Sequence, residues 1–171
     1  LLETDLTEKQ RDYLDKIYRS SHTLLDLIND ILDFSKIEAG KLRLEHIEFQ
    51  IQDVIDILID MFSGKAAEKG LELIPLVTPQ VPASLIGDPL RLRQVLINLT
   101  NNAIKFTRNG EVVIAVNVKS RQQENRVQLE FSVTDTGIGR ADKHISNLFD
   151  SFVQADGSTS RKYGGTGLGL A

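Results

Sequence analysis

The 171-residue sequence contains no cysteine, which excludes a disulfide framework, a thiolate metal site and a cysteine nucleophile. It has no run that approaches about 18 uninterrupted apolar residues, so no segment is predicted to span a membrane. Basic runs interleaved with aromatic residues are also missing, and 20 Lys and Arg residues against 24 Asp and Glu residues give a net charge of −4. This acidic balance argues against a general nucleic-acid-binding protein.

What is present is the composition of a folded protein. Hydrophobic residues make up 41% of the chain and charged residues 26%, close to the average of globular domains. The length predicts one domain, or one domain with a small appendage, large enough for a core without metal or disulfide support. The first residues have no initiator Met and no basic segment of a signal peptide, so we expect a piece of a longer chain.

Residues 7–39 are predicted to form one long helix. Thr7 and Gln10 have the spacing of a capping box, and Gly40 is the residue type that commonly ends a helix. Apolar residues between them recur every three or four positions. At ~1.5 Å per residue the helix is ~50 Å long, so we expect a partner helix, either upstream of Leu1 or in a second copy of the chain.

After residue 40 short strands and helices are mixed. Strands are predicted over residues 41–49 and 71–77, an amphipathic helix from Ile51 to Gly70, and a loop around Pro79 and Pro82. A further helix is expected with Asp88 as N-cap, an apolar side at Leu92, Val95, Leu96, Leu99, Ala103 and Phe106, and an end at Asn109 and Gly110. Residues 112–118 and 127–133 alternate and predict an antiparallel hairpin, followed by a short helix over 141–149 and a loop over 150–166. This order predicts an α+β fold, a two-layer sandwich.

The pattern Asn98-x-x-x-Asn102-x-x-Lys105 places three polar side chains on one face of the helix that Asp88 starts. Amide oxygens can bind a hard cation such as Mg²⁺, and a lysine one turn further can meet phosphate oxygens. Taken alone, the pattern is more often an ordinary surface of a helix.

The segment Asp135-Thr136-Gly137-Ile138-Gly139 follows a strongly alternating strand. A carboxylate there can accept a hydrogen bond from an exocyclic amine, and the glycines let the backbone approach a flat ligand. An ordinary turn between a strand and a helix explains so short a motif equally well.

A third motif has four glycines in the six residues 164–169 and could cradle phosphate groups through backbone N–H groups. It lacks the Rossmann spacing and the Lys-Ser/Thr ending of a Walker loop, and a flexible loop is the alternative. Phe149 and Phe152 precede it; such a pair usually belongs to a core, and here it is a candidate hinge.

The order and spacing of these motifs resemble the ATP-binding domain of sensor histidine kinases, especially hybrid kinases. Residues 91–107 are similar to the N box of that family, 135–139 to its G1 box, 148–152 to its F box and 161–171 to its G2 box. Residues 31–40 resemble the junction between the dimerisation helix and the ATP-binding domain. The resemblance covers nearly the whole chain.

The resemblance implies roles for individual residues. Asp135 would accept from the adenine amino group, Gly137 and Gly139 would line the base pocket, and Asn98 and Asn102 would hold Mg²⁺. Lys105 would touch phosphate, and residues 150–164 would form a lid with Phe152 at its base. The remaining ATP contacts would come from the last glycine-rich segment, namely Gly165, Thr166, Gly167, Leu168 and Gly169.

The resemblance also implies the organisation of the chain. Residues 1–40 would be the second helix of a dimerisation and phosphoacceptor domain, and residues 41–171 a C-terminally shortened ATP-binding domain of the Bergerat or GHKL type. The expected cofactors are ATP and Mg²⁺, and the expected partners are a second copy of the protein and a response-regulator receiver domain, with no nucleic acid. We expect this segment in the cytoplasm and its parent protein in the plasma membrane.

The phosphoacceptor motif of the family is missing from this sequence. It is a histidine followed by an acidic residue, any residue, a basic residue, threonine and proline, and none of His22, His46 or His144 has this context. The chain is therefore expected to transfer the γ-phosphoryl group of ATP to a histidine outside itself, and to be inactive in autophosphorylation alone.

Two other functions use the same motifs. An ATP-driven conformational clamp of the same superfamily needs a glutamate general base where this chain has Asn98, and an amide cannot take a proton from water. A dimerising module without kinase activity would not require the complete set of nucleotide motifs found here.

Overall fold

The computed structural model of the chain describes residues 4–122 and 126–139. These residues form, in order, α1 (Glu8–Glu38), β1 (Ile47–Gln50), α2 (Ile51–Glu68), β2 (Leu71–Val77), β3 (Ser84–Gly87), α3 (Pro89–Phe106), β4 (Gly110–Arg121) and β5 (Val127–Asp135). The predictions of a short helix over 141–149 and a loop over 150–166 lie outside the described residues.

Helix α1 has the predicted start and end. The Thr7 hydroxyl accepts a hydrogen bond from the Gln10 backbone N–H at 3.3 Å, and the Gln10 side chain accepts from the Thr7 backbone N–H at 3.0 Å. This capping box satisfies donors that the first helical turn leaves unpaired. Gly40, after the last turn, has a φ of 62°, the left-handed conformation that glycine adopts without steric cost.

Nine large apolar side chains along α1, between Tyr13 and Ile37, are between 45% and 60% exposed. The rest of the described chain leaves this stripe uncovered, in keeping with a helix that packs along another helix. No helix among the described residues combines the length and the apolar character needed to cross a membrane.

The sequence interpretation of residues 41–49 as a strand is wrong for most of that segment. Only β1 is extended, and it pairs antiparallel with β3, with Ile47 opposite Gly87 and Gln50 opposite Ser84. Residues 41–46 have no strand to pair with because β3 ends at Gly87, where the chain turns into α3. The pattern also failed to predict β3, since four residues carry too little alternation to reveal a strand.

Strands β2, β4 and β5 form a mixed sheet in that order, in which β4 runs parallel to β2 and antiparallel to β5. Helices α2 and α3 pack against this sheet, so the predicted α+β two-layer arrangement and the predicted hairpin are confirmed. The buried side of α2 has the three- and four-residue spacing of the predicted amphipathic helix and consists of Ile51, Val54, Ile55, Leu58, Phe62 and Ala66.

Helix α3 begins as predicted but ends earlier. Asp88 caps it by accepting from the Arg91 backbone N–H at 2.9 Å, and Pro89 occupies the first turn. The helix ends at Phe106 because Thr107 is already extended, and Gly110 belongs to β4.

The buried side of α3 also differs from the predicted one. It is centred on Leu96, Thr100, Ala103 and Ile104, and the interpretation of Val95 as a core residue is wrong because this side chain is 56% exposed. Successive residues of a helix are rotated by about 100°, which takes Val95 beyond the edge of a stripe that has Leu96 and Thr100 at its centre.

The end of α1 is attached to the start of α3 by polar contacts. The Arg91 guanidinium forms a two-pronged ion pair with the Asp33 carboxylate, and the Gln94 amide donates to the same carboxylate at 3.2 Å. Between the helices, the Glu45 backbone N–H donates to the Asp88 carboxylate at 3.1 Å. The two side chains of the Asp33–Arg91 pair are only 19% and 29% exposed, so water screens their attraction less than at an open surface.

Acid should detach α1 from α3. The hydrogen bonds from Arg91 hold the pKa of Asp33 below its ordinary value of 3.8, so this carboxylate stabilises the contact above that value. The stabilisation is lost as the pH falls below about 4, through the lowered pKa. Protection of the amides of residues 31–38 against hydrogen exchange, measured relative to the intrinsic exchange rate at each pH, should fall in acid, and Asp33→Asn should show reduced protection at pH 7 with little further loss in acid.

The control is Asp12→Asn, which removes an ion pair of α1 whose side chains are 55% and 69% exposed. Such exposed pairs contribute little, so the exchange of residues 31–38 should not change. Equal exchange in Asp33→Asn and the wild type at pH 7 would show that the ion pair does not hold α1.

Candidate functional site

The predicted site residue Asp135 lies at the end of β5, on the side of the sheet that the helices cover. In the antiparallel pair, Val133 lies opposite Ile114 and Asp135 lies opposite Val112. Directly opposite residues share a face of the sheet, and Val112 and Ile114 are fully buried in the core with α2 and α3. The Asp135 carboxylate therefore emerges from the layer between sheet and helices, close to the end of α3.

Two donors approach the same oxygen of this carboxylate. The Gly137 backbone N–H donates to Asp135 Oδ1 at 2.8 Å, and the Thr107 hydroxyl lies 3.4 Å from that oxygen. Thr107 is fully buried, and the same hydroxyl lies 2.7 Å from the Ala103 carbonyl oxygen, so its single proton has two acceptors in reach. Thr107 is not among the predicted site residues, because a threonine one residue beyond a helix is usually just a cap.

Gly137 lies where no side chain fits. A Cβ atom at this position would lie 2.6 Å from Asp135 Oδ1, 2.7 Å from the Phe106 carbonyl oxygen and 3.0 Å from Thr107 Oγ1. Gly139 is different, since no atom of the described residues lies within 4 Å of a Cβ placed there, but its φ of 62° favours glycine. Glycine is thus required at 137 for close approach and favoured at 139 for backbone conformation.

Thr136 fixes the direction in which the chain leaves β5. Its backbone N–H donates to the Glu111 carbonyl at 3.2 Å, and its hydroxyl accepts from the Glu111 backbone N–H at 3.0 Å. These bonds continue the β4–β5 pairing one residue past Asp135, so the loop begins from a defined position.

The three polar residues predicted on α3 are half-buried and follow one another along the helix. Asn102 and Asn98 lie ~8 Å and ~14 Å from Thr107 along the helix axis, at ~1.5 Å per residue. Partial burial lowers the pKa of the Lys105 ammonium, which a neighbouring anion would favour in its charged form. The face can offer two amide oxygens and a cation to an anionic ligand that reaches from Asp135 along α3.

Lys69, at the end of α2, caps the end of α3. Its ammonium donates to the carbonyl oxygens of Ile104 at 2.6 Å, Lys105 at 3.2 Å and Thr107 at 3.4 Å. These bonds pair carbonyls that the last helical turn leaves open and complement the negative end of the helix dipole. Its partners lie at least 35 residues away in sequence, so no local pattern could have revealed this contact.

The remaining predicted site residues lie outside the described residues. They are the lid and its base residue Phe152, together with Gly165, Thr166, Gly167, Leu168 and Gly169.

A separate groove of about 1180 Å³ lies between the β1–β3 pair and the β4–β5 hairpin. Its described walls are mainly apolar, with Phe49, Leu85 and Phe131 among them, and they include none of the predicted ATP residues. Volume alone therefore does not identify the candidate site, which is defined by its polar groups.

Comparison with known families divides the chain into two matches. The His Kinase A (phospho-acceptor) domain matches residues 1–40, and the family described as histidine kinase-, DNA gyrase B-, and HSP90-like ATPase matches residues 87–171. The second match contains α3, β4, β5 and the whole candidate site.

Curated relatives resemble nearly the entire chain. The signal transduction histidine-protein kinase BarA of Escherichia coli K12 is 50% identical over 169 residues, which are 99% of this chain and 18% of BarA. The hybrid signal transduction histidine kinase A of Dictyostelium discoideum is 45% identical over 176 residues, covering 100% of this chain and 8% of the relative. The chain thus spans less than a fifth of the length of these relatives.

Solved structures show the same fold. The crystal structure of full-length ShkA in complex with AMPPNP has a TM-score of 0.77 and 35% identity, and the match covers 99% of this chain and 34% of ShkA. The Acinetobacter baumannii histidine kinase AdeS, at 24% identity and a TM-score of 0.72, matches in fold over 98% of this chain and 71% of its own.

Gly137→Ala should abolish most ATP binding. The added methyl group cannot fit between the Asp135 carboxylate and the Phe106 carbonyl, so the loop must move away from α3. Overpacking of this kind costs about 1–3 kcal/mol, which corresponds to a loss of affinity of roughly 5- to 150-fold if it falls on the bound state. Calorimetric titration with ATP measures the loss.

The matched control is Gly64→Ala in α2, where no described atom outside the surrounding helical backbone lies within 4 Å of the added methyl group. Alanine is favoured over glycine inside a helix by roughly 0.5–1 kcal/mol, so this variant should be more stable and bind ATP normally. Unchanged ATP affinity in Gly137→Ala would show that the loop after β5 does not line the nucleotide site.

Proposed function

Because the chain belongs to the sensor histidine kinases, we propose that it binds Mg²⁺–ATP between α3 and the loop after β5 and supplies the γ-phosphoryl group to a histidine outside the chain. The observation that carries this proposal is the junction of Asp135, Gly137 and Thr107. There a carboxylate, held by its own loop, meets the end of the helix that carries Asn98, Asn102 and Lys105.

In this proposal Asp135 selects the base. An ionised carboxylate only accepts hydrogen bonds, and the amino group on C6 of adenine only donates. Gly137 and Gly139 let the loop backbone approach the adenine ring closely. A side chain at 137 would fill the space next to the Asp135 carboxylate.

The phosphate groups would extend along α3. Lys105 pairs with a phosphate oxygen, which favours the charged ammonium that partial burial disfavours. Gly165, Thr166, Gly167, Leu168 and Gly169 are proposed to complete the phosphate contacts from the glycine-rich segment.

Asn98 and Asn102 have the donor chemistry of a shared Mg²⁺ site. Mg²⁺ usually takes one or two protein oxygens and completes its shell with phosphate oxygens and water. Among the described residues there is no group of three or more Asp, Glu, His or Cys residues that would form an all-protein metal cage. When bound, Mg²⁺ would neutralise phosphate charge, and the half-buried amides of Asn98 and Asn102 would hold it.

The chain's own part in the transfer is positioning and charge neutralisation. The bond between the γ-phosphorus and its bridging oxygen breaks, a bond to an imidazole nitrogen forms, and ADP leaves with the electron pair. Asn98 offers no base to activate water, which disfavours the clamp-type ATPase alternative. We further propose that the protein forms a dimer through the apolar stripe on α1. The acceptor histidine lies outside this chain, and a receiver domain accepts the phosphoryl group from it. For the whole protein we propose the cytoplasmic side of a membrane-anchored sensor.

Asn102→Ala should reduce the Mg²⁺ dependence of ATP binding. Loss of one amide ligand weakens the metal site, so the Mg²⁺ titration of ATP affinity should shift to concentrations roughly tenfold higher. Asn101→Ala is the matched control, since it removes the same side-chain amide from the adjacent residue, which is exposed and is not one of the proposed ligands. Identical Mg²⁺ titrations for both variants would contradict the role of Asn102.

A phosphotransfer assay tests the function itself. The protein, with the sequence that naturally flanks these residues, is mixed with a separate acceptor helical hairpin and ATP labelled in the γ-phosphoryl group. We expect acid-labile label on the hairpin, lost in Asp135→Asn and retained in Asp60→Asn, an exposed aspartate of α2. Rapid release of free phosphate with an unlabelled hairpin would instead favour the clamp ATPase.

A further inference from the structure

We propose that Thr107 is a positioning residue that makes the site discriminate between purines by the group on C6. This inference rests on the proposed function, in which Asp135 accepts from the adenine amino group. Thr107 would not touch the nucleotide; it would act through the Asp135 carboxylate.

Thr107 is placed to hold one carboxylate oxygen. Its hydroxyl has a single proton and two acceptors in reach, the Ala103 carbonyl at 2.7 Å and Asp135 Oδ1 at 3.4 Å. Rotation about the bond between Cβ and Oγ1 moves the proton from one acceptor to the other without moving a heavy atom. The full burial of Thr107 excludes water as an alternative partner of this hydroxyl.

The other donor to the carboxylate reaches the same oxygen. The Gly137 backbone N–H lies 2.8 Å from Oδ1, and within the described part of the chain both hydrogen bonds to Asp135 end on Oδ1. The Gly137 bond holds Oδ1, and the Thr107 hydroxyl adds a second bond to the same oxygen when its proton turns from Ala103 to Asp135. Both bonds leave Oδ2 to act as an acceptor toward the ligand.

This arrangement distinguishes an amine from a carbonyl. The amino group on C6 of adenine donates to Oδ2, whereas the carbonyl on C6 of hypoxanthine or guanine would place two acceptors against each other. A site built to hydrogen-bond one polar group rejects the analogue that lacks it, because its own polar group is left unpaired. Thr107 contributes by keeping Oδ2 in the direction of that group.

The backbone of Thr107 allows a clean test. Its φ of −93° and ψ of 131° are extended values that valine adopts readily, so Thr107→Val removes the hydroxyl and keeps the shape. Thr107→Ser keeps the hydroxyl. Thr100, also fully buried in α3, has a hydroxyl with no hydrogen-bond partner among the described residues, which makes Thr100→Val the matched control.

The experiment compares ATP with inosine triphosphate, which differs at C6 by a carbonyl, in calorimetric titrations of the protein with its natural flanking sequence. Wild-type protein should prefer ATP. Thr107→Val should lose about 3- to 10-fold in ATP affinity, the effect of one hydrogen bond, with less than a twofold change for inosine triphosphate. Thr107→Ser and Thr100→Val should bind both nucleotides within about twofold of wild type.

An equal loss for both nucleotides in Thr107→Val would make Thr107 merely structural and overturn the proposal, as would no loss for either. If Thr107→Val does not fold, the nucleotide affinities of Thr107→Ala, which lacks the hydroxyl, are compared with those of Thr107→Ser, which keeps it. Wild-type protein that binds both nucleotides equally would overturn the role of Thr107 and leave ATP binding intact. Folded wild-type protein that binds neither nucleotide would refute the proposed function itself.

Discussion

The close approach of two backbones is the constraint on which the candidate site depends. Where the chain leaves β5, Gly137 lies so near the Phe106 carbonyl and the Asp135 carboxylate that a single added carbon has no space. That contact joins the sheet to the end of α3, and it brings the Asp135 carboxylate, which we propose to recognise the base, beside a helix that carries amides and a lysine. Thr107 closes the junction from inside the core, where its hydroxyl cannot exchange its partners for water.

Helix α3 connects this site with the rest of the chain. Its first turn holds Asp33 of α1 through Arg91, and its last turn is capped by Lys69 of α2. Its central turns present Asn98 and Asn102 on one side while Leu96 and Thr100 lie in the core on another. One rigid element thus bears the attachment of the long helix at one end and the candidate nucleotide contacts toward the other.

Sequence reasoning succeeded where structure follows from neighbours along the chain. The capping box of α1, the cap of α3 by Asp88, the buried stripe of α2 and the β4–β5 hairpin all depend on residues a few positions apart. It failed for residues 41–46 and for β3, because a strand of four residues exists only through its distant partner. It also put Val95 in the core. A periodic pattern predicts an apolar face, but the rotation of the helix about its own axis against the sheet stays uncertain by about one residue.

The sequence by itself determined the kinds of elements, their order and the chemical groups available, because caps, turns and periodicity act over three or four residues. The boxes that resemble those of sensor histidine kinases belong to that level. The tertiary structure decided which groups meet: Thr107 with Asp135 across 28 residues, Lys69 with Ile104 across 35, and Arg91 with Asp33 across 58. Such contacts depend on how helices and sheet pack together, and packing is a property of the whole core rather than of any segment within it.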